Sequence, residues 1–102
     1  MKQEIFHVQV VLDETWLEMD QLCRMAEVSE PWVCQRMEDG LLTPAAPEPT
    51  ATPRFSAHDL RRVRRMASLE RDFDAVPELA SLVADLEDEI AALREKLRRV
   101  DG

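Results

Sequence analysis

Tyrosine is absent from this chain, and glycine, cysteine and histidine occur only twice each. Each shortage excludes a class of chemistry. Two distant glycines, Gly40 and Gly102, cannot build the glycine-rich loop that cradles a nucleotide phosphate. Cys23 and Cys34 match neither a Cys-x-x-Cys motif nor a zinc spacing, and His7 and His58 lie far from them in sequence. No metal and no cofactor are therefore expected. Cys23 falls on an apolar helix face and reads as a small core residue. No nucleophile stands beside a base, so the chain does not read as an enzyme; His7 and His58 read as ordinary polar residues. No apolar run approaches the roughly 18 residues of a membrane span. The N-terminus lacks a basic region followed by an apolar stretch, so no signal peptide is expected and a reducing cytoplasm is the simplest setting.

Positive charge is scarce where it would matter for nucleic acid. Residues 1–53 hold three bases and ten acids, a net of −7, whereas the remainder carries only −1 of the total of −8. The front half should repel phosphate and attract a basic surface.

What is present is periodicity. Val76, Leu79, Val83, Leu86, Ile90, Leu93, Leu97 and Val100 alternate by three and four without a gap. The seam is too narrow for a globular core and suits a second helix, so a homodimer is expected. In an antiparallel pair Ile90 faces Leu93, Leu86 faces Leu97, and Val83 faces Val100, all about one centre between Ala91 and Ala92. Glu87 would meet Arg94 and Glu89 would meet Lys96. A parallel pair also brings opposite charges together, Glu89 with Arg94, but the shared centre favours the antiparallel one.

Ahead of the seam, Glu4-Ile-Phe-His-Val-Gln-Val-Val11 is β-prone, with Phe6, Val8 and Val10 facing inward and a pairing partner near Arg54–Phe55 or in the same strand of a second copy. Asp20 reads as the N-cap of a short helix with Leu22, Cys23 and Ala26 inward. Val28 falls in the turn. Ser29 caps a second short helix with Pro31 in its first turn, Val33 and Met37 facing the core, and Gly40 ending it. Two short capped helices around a tight turn are a helix-turn-helix. Residues 44–53 contain four prolines and form a stiff, extended loop, with Phe55 anchoring its return. Ser56, with Asp59 three residues on, caps a long helix whose buried face runs through Leu60, Val63, Met66 or Ala67, and Phe73. Asp74–Pro77 breaks it before the heptad helix.

The order of these parts, strand, helix-turn-helix, Gly-Leu-Leu-Thr-Pro, wing, Arg-Phe-Ser-Ala-His-Asp-Leu, long helix and coiled-coil helix, resembles the MerR-like winged helix-turn-helix superfamily over nearly the whole chain. Ser29-Glu30, the Leu69-Glu-Arg-Asp-Phe73 run and the Leu82–Ile90 run narrow the resemblance to the CbpM-type chaperone modulators. The implied fold is mainly α, with a short N-terminal strand and a C-terminal dimerisation helix. Residues 1–74 would form the winged domain, with 44–53 as its wing loop, and 75–102 the coiled coil. The implied function is to bind the J-domain of a DnaJ-like co-chaperone and inhibit its work with the Hsp70 chaperone. The DNA-binding members usually carry Arg-Tyr-Tyr-Glu in the second helix; Cys34-Gln-Arg-Met37 stands there instead. A transcriptional regulator of the same superfamily is the alternative, and a dimeric scaffold for another partner a third reading.

The residues expected to meet a partner are Glu27, Glu30, Trp32, Gln35, Arg36, Glu38 and Asp39, with Trp32 exposed as the anchor. The dimer seam is expected at Leu79, Val83, Leu86, Ile90, Leu93, Leu97 and Val100. Arg61, Arg62, Arg64 and Arg65 point in several directions around one helix and read as a solvated face, with contact to the acidic Asp85–Glu89 run as the other possibility.

Overall fold

The computed structural model describes residues 16–44 and 53–101. Strand β1 (Leu17–Glu18) leads directly into helix α1 (Met19–Ala26). Helix α2 (Glu30–Glu38), strand β2 (Arg54–Phe55), helix α3 (Ala57–Phe73) and helix α4 (Pro77–Asp101) follow. The two strands pair antiparallel, Leu17 opposite Phe55 and Glu18 opposite Arg54. Arg54–Phe55 is thus a strand, as expected, but its partner is Leu17–Glu18. The β-prone stretch at 4–11 lies outside the described residues.

Local chemistry sets each helix end. Glu18, not Asp20, is the N-cap of α1, because the Gln21 side chain reaches back to accept from the Glu18 N–H at 2.9 Å. Asp20 sits inside the first turn, where its charge still interacts favourably with the positive end of the helix dipole. The turn into α2 places Glu27 at φ +57°, and the Val28 N–H closes on the Cys23 carbonyl. Ser29 Oγ accepts from the Trp32 N–H, and Pro31 occupies the first turn. At the other end Gly40 N–H donates to the Met37 carbonyl and Leu41 N–H to the Arg36 carbonyl. This is the Schellman closure, and it needs Gly40 at φ +75°. Ser56 and Asp59 form the reciprocal capping box of α3.

Two apolar clusters share α3. The first gathers Leu17, Leu22, Ala26, Val33, Leu42, Phe55, Leu60 and Val63, and holds the helix-turn-helix and the small sheet on the first half of α3. The second joins Met66 and Leu69 to Ala80 and Ala84, and fixes α4 against the second half. Both Met66 and Ala67 are buried. Phe73 is not: it is 71% exposed, contrary to the periodicity that placed it on the buried face. The helix ends at Asp74 with φ +56°, so the chain turns away before Phe73 can reach the core.

Helix α4 therefore has two faces. Ala80, Ser81 and Ala84 are buried against α3, and their small size permits close approach. Leu79, Leu82, Leu86, Ile90, Leu93, Leu97 and Val100 are exposed, with Val83 half-buried between the faces. None of the described helices is long and apolar enough to cross a membrane.

Candidate partner-binding site

Helix α2 holds the position that reads DNA in a helix-turn-helix. Its side chains divide by angle. Val33 is fully buried in the first cluster. Trp32 and Arg36, four residues apart, turn together toward α3. The Arg36 guanidinium lies over the Trp32 ring, 4.5 Å from its centroid. Glu70 of α3 receives both: Trp32 Nε1 donates at 3.0 Å, Arg36 Nε at 3.0 Å, and a terminal Arg36 nitrogen at 2.7 Å. Arg36 is only 9% exposed. A forked guanidinium matched to one carboxylate, stacked on an indole, is a fully committed cation.

Trp32 is accordingly half-buried rather than the exposed side chain expected. It packs against both apolar clusters, and Arg36 and Glu70 cover its polar edge. The remaining sequence-selected residues are all exposed: Glu27, Glu30, Gln35, Glu38 and Asp39. Gln35 Nε2 donates to Asp39 Oδ1 at 3.1 Å. With its single base turned inward, the outer surface of α2 offers carboxylates and one amide, and no cation. That surface meets phosphate oxygens with repulsion, and each phosphate contact requires a cation.

Glu30, Cys34 and Met37 fall along one face of α2 and form a wall of an open groove. Glu18, Met19 and Asp20, at the start of α1, line the other side, and Pro53 closes one end. The cavity is about 450 Å³. Its apolar members are half-buried and its carboxylates exposed. Cys23 packs against the first cluster nearby. Burial, and then the negative charge of Glu30, push its thiol pKa up, so it stays protonated and inert at neutral pH. Among the described residues no three histidine, cysteine or acidic side chains converge to hold a metal.

The arginines of α3 are mostly tied down as well. Arg62 bonds the Leu41 carbonyl, Ser81 Oγ at 2.7 Å and Asp85 at 2.5 Å. Arg65 makes two 2.8 Å bonds to Glu87. Arg64 Nε donates to the Met25 carbonyl, joining α3 to α1. His58 lies 3.2 Å from Asp88. The acidic run of α4, one of the two readings of this cluster, thus takes Arg62 and Arg65 within the chain; Arg61 and Arg64 remain exposed. Glu87, expected opposite Arg94 of a second chain, is already engaged by Arg65.

Sequence reasoning missed Glu70, because its partners lie 38 and 34 residues away. It also missed Glu18, Met19 and Asp20 as groove residues. The spacing of Glu30, Cys34 and Met37 along one face was the available signal for the opposite wall.

Compared with known protein families, residues 17–101 match the MerR HTH family regulatory proteins. No curated protein matches the chain.

Proposed function

The chain belongs to the MerR HTH family of regulatory proteins, and from the acidic outer surface of α2 we propose that it regulates by binding a cationic polypeptide through its helix-turn-helix, as a chaperone modulator of the CbpM type. The proposed partner is the J-domain of a DnaJ-like co-chaperone, held on the positively charged surface that the J-domain also presents to the Hsp70 chaperone. Occupying that surface inhibits the handover by competition.

The observation that carries this reading is the Arg36–Glu70 pair. It removes the only base of α2 from solvent and leaves Glu30, Glu38 and Asp39 to set the potential of the helix. A positive groove-binding helix is what duplex recognition needs; a negative one steers toward cationic protein surfaces and away from nucleic acid. The commitment of Arg62 and Arg65 to α4 adds to the same argument.

The proposal includes a homodimer. The apolar seam of α4 is exposed along its length, and its charges are arranged head to tail. Glu78, Asp85, Glu87, Asp88 and Glu89 occupy the first half; Arg94, Lys96, Arg98 and Arg99 outnumber Glu95 and Asp101 in the second, where Glu95 pairs with Arg98 and Arg99. An antiparallel partner sets each half against its opposite. With Glu87 engaged by Arg65, Glu89 and Lys96 are the pair available across the seam.

Calorimetric titration of the full chain against an isolated J-domain, beside a gel shift on promoter DNA at moderate salt, tests the proposal. Sub-micromolar J-domain binding with no DNA retardation is expected. The double reversal Glu30→Lys/Glu38→Lys should weaken the J-domain complex at least tenfold. Tight, sequence-selective retardation of DNA with no J-domain binding would establish the transcriptional regulator instead.

A further inference from the structure

The groove between the start of α1 and the Glu30–Cys34–Met37 face of α2 has a specific composition. Met19, Cys34, Met37 and Pro53 make an apolar lining, and Glu18, Asp20 and Glu30 stand exposed around it. Asp20 pairs loosely with Arg24, 3.8 Å away at an exposed position, and Arg54 lies opposite Glu18 across the strand pair. Among the described residues the lining contains no base. Such an arrangement, an open apolar trough with a negative rim, has the anatomy of an interface core surrounded by polar contacts. Thioether side chains adapt to the shape of an incoming apolar group. The volume of about 450 Å³ admits one or two large side chains, not a folded domain.

We propose that this groove receives an amphipathic, lysine- or arginine-bearing helix of the partner. An apolar side chain seats on Met19 and Met37, and the flanking cations meet Glu18, Asp20 and Glu30. The inference rests on the reading above that the partner is a cationic polypeptide. It goes further by locating contact at the α1–α2 groove rather than over the whole outer surface of α2. Charge decides the occupant: an acidic or neutral helix would be opposed by three carboxylates at the rim, and a nucleic acid more so. It also separates the acids of α2 into two groups. Glu30 belongs to the groove. Asp39 lies about 180° around the helix from Glu30 at 100° per residue and is outside the groove, adding only to the long-range potential.

Cys34 supplies a probe that needs no rim substitution. In a Cys23→Ala chain, alkylation of Cys34 by iodoacetamide is followed with and without two ligands: the isolated J-domain, and a synthetic leucine–lysine amphipathic helix. Both are expected to slow alkylation at least fivefold. Glu18→Gln/Glu30→Lys should weaken both complexes at least tenfold, and Asp72→Asn, exposed on α3 and outside the groove lining, should leave them within twofold, with circular dichroism confirming that each variant is folded. If the J-domain binds yet Cys34 alkylates at its free rate, the groove assignment is wrong while the functional reading stands. If the J-domain fails to bind but the leucine–lysine helix protects Cys34, the groove stands and the named partner is wrong. Slow alkylation of the free chain, unchanged by either ligand, would mean that the groove is closed to both, and would overturn the proposal.

Discussion

Glu70 decides what helix α2 shows to solvent. Its carboxylate accepts from the Trp32 indole and from both faces of the Arg36 fork. The pair is mostly enclosed, with side-chain exposures of 10% for Arg36 and 17% for Glu70. Removing one member of an enclosed pair leaves the other charge uncompensated, which costs roughly 3–5 kcal/mol in a dry interior. Glu70 keeps some contact with water, so Glu70→Gln should destabilise by about 2–3 kcal/mol. Urea unfolding should show a lower midpoint at unchanged slope. Replacing both charges, Arg36→Met with Glu70→Met, should recover most of the loss, because a buried ion pair contributes little net stability over an apolar one. A Glu70→Gln chain as stable as the parent would mean that Arg36 is not held as described, and would return a cation to the outer face of α2.

Between elements, the contact of α3 with α4 combines small buried residues with ion pairs at the edge. The Arg65 bond holds the Glu87 carboxyl pKa below its ordinary 4.5. A carboxylate with a depressed folded pKa adds its stability above the unfolded value and loses it as pH falls through the folded one. The Arg65–Glu87 contribution is therefore complete at neutral pH and is lost progressively as pH falls from the ordinary carboxylate value through the lowered folded one. Both side chains are about 40% exposed, so solvent limits the effect to under about 1 kcal/mol. Arg65→Ala should cost that small amount at pH 7 and progressively less as the medium is acidified through the carboxylate range, as read by thermal melts at neutral and acid pH. An equal cost at both would place the role of Arg65 in packing rather than in charge. The helix ends were readable in advance at Ser29, Gly40 and Ser56, because capping is settled within a few residues. The α3–α4 contact was not. Alanine at 80 and 84 carries no strong periodic signal, and the louder heptad of leucines on the other face concealed it. Phe73 misled for a related reason: a helical period says nothing about where a left-handed residue such as Asp74 will end it. In the candidate site, the acids of α2 were visible from composition. The inward turn of Trp32 and Arg36 depended on a residue in another helix.

At the scale of the whole molecule, the proposed dimer rests on the exposed seam of α4. Burying a leucine or isoleucine side chain contributes about 1.5–3 kcal/mol when complete. Leu79, Leu86, Ile90, Leu93, Leu97 and Val100 are exposed on each chain, and even half that yield from both seams matches the roughly 4–15 kcal/mol cost of association. Orientation follows from charge and from what α3 leaves free. Val83 is half-buried against the second apolar cluster, so the Leu86–Leu97 pair, with both members exposed, is the better reporter. In a Cys23→Ala/Cys34→Ala background, chains carrying Leu86→Cys are mixed with differently tagged chains carrying Leu97→Cys. The antiparallel arrangement predicts a mixed cross-linked dimer and little linkage within either variant alone. Linkage of 86 to 86 would establish a parallel seam. Ile90→Lys, at the centre of the antiparallel overlap, should give a folded monomer by sedimentation and circular dichroism, since Ile90 is exposed in the single chain and contributes nothing to its core. A dimer that survives Ile90→Lys would put the interface elsewhere. Loss of the helical signal would instead mean that α4 requires its partner to fold.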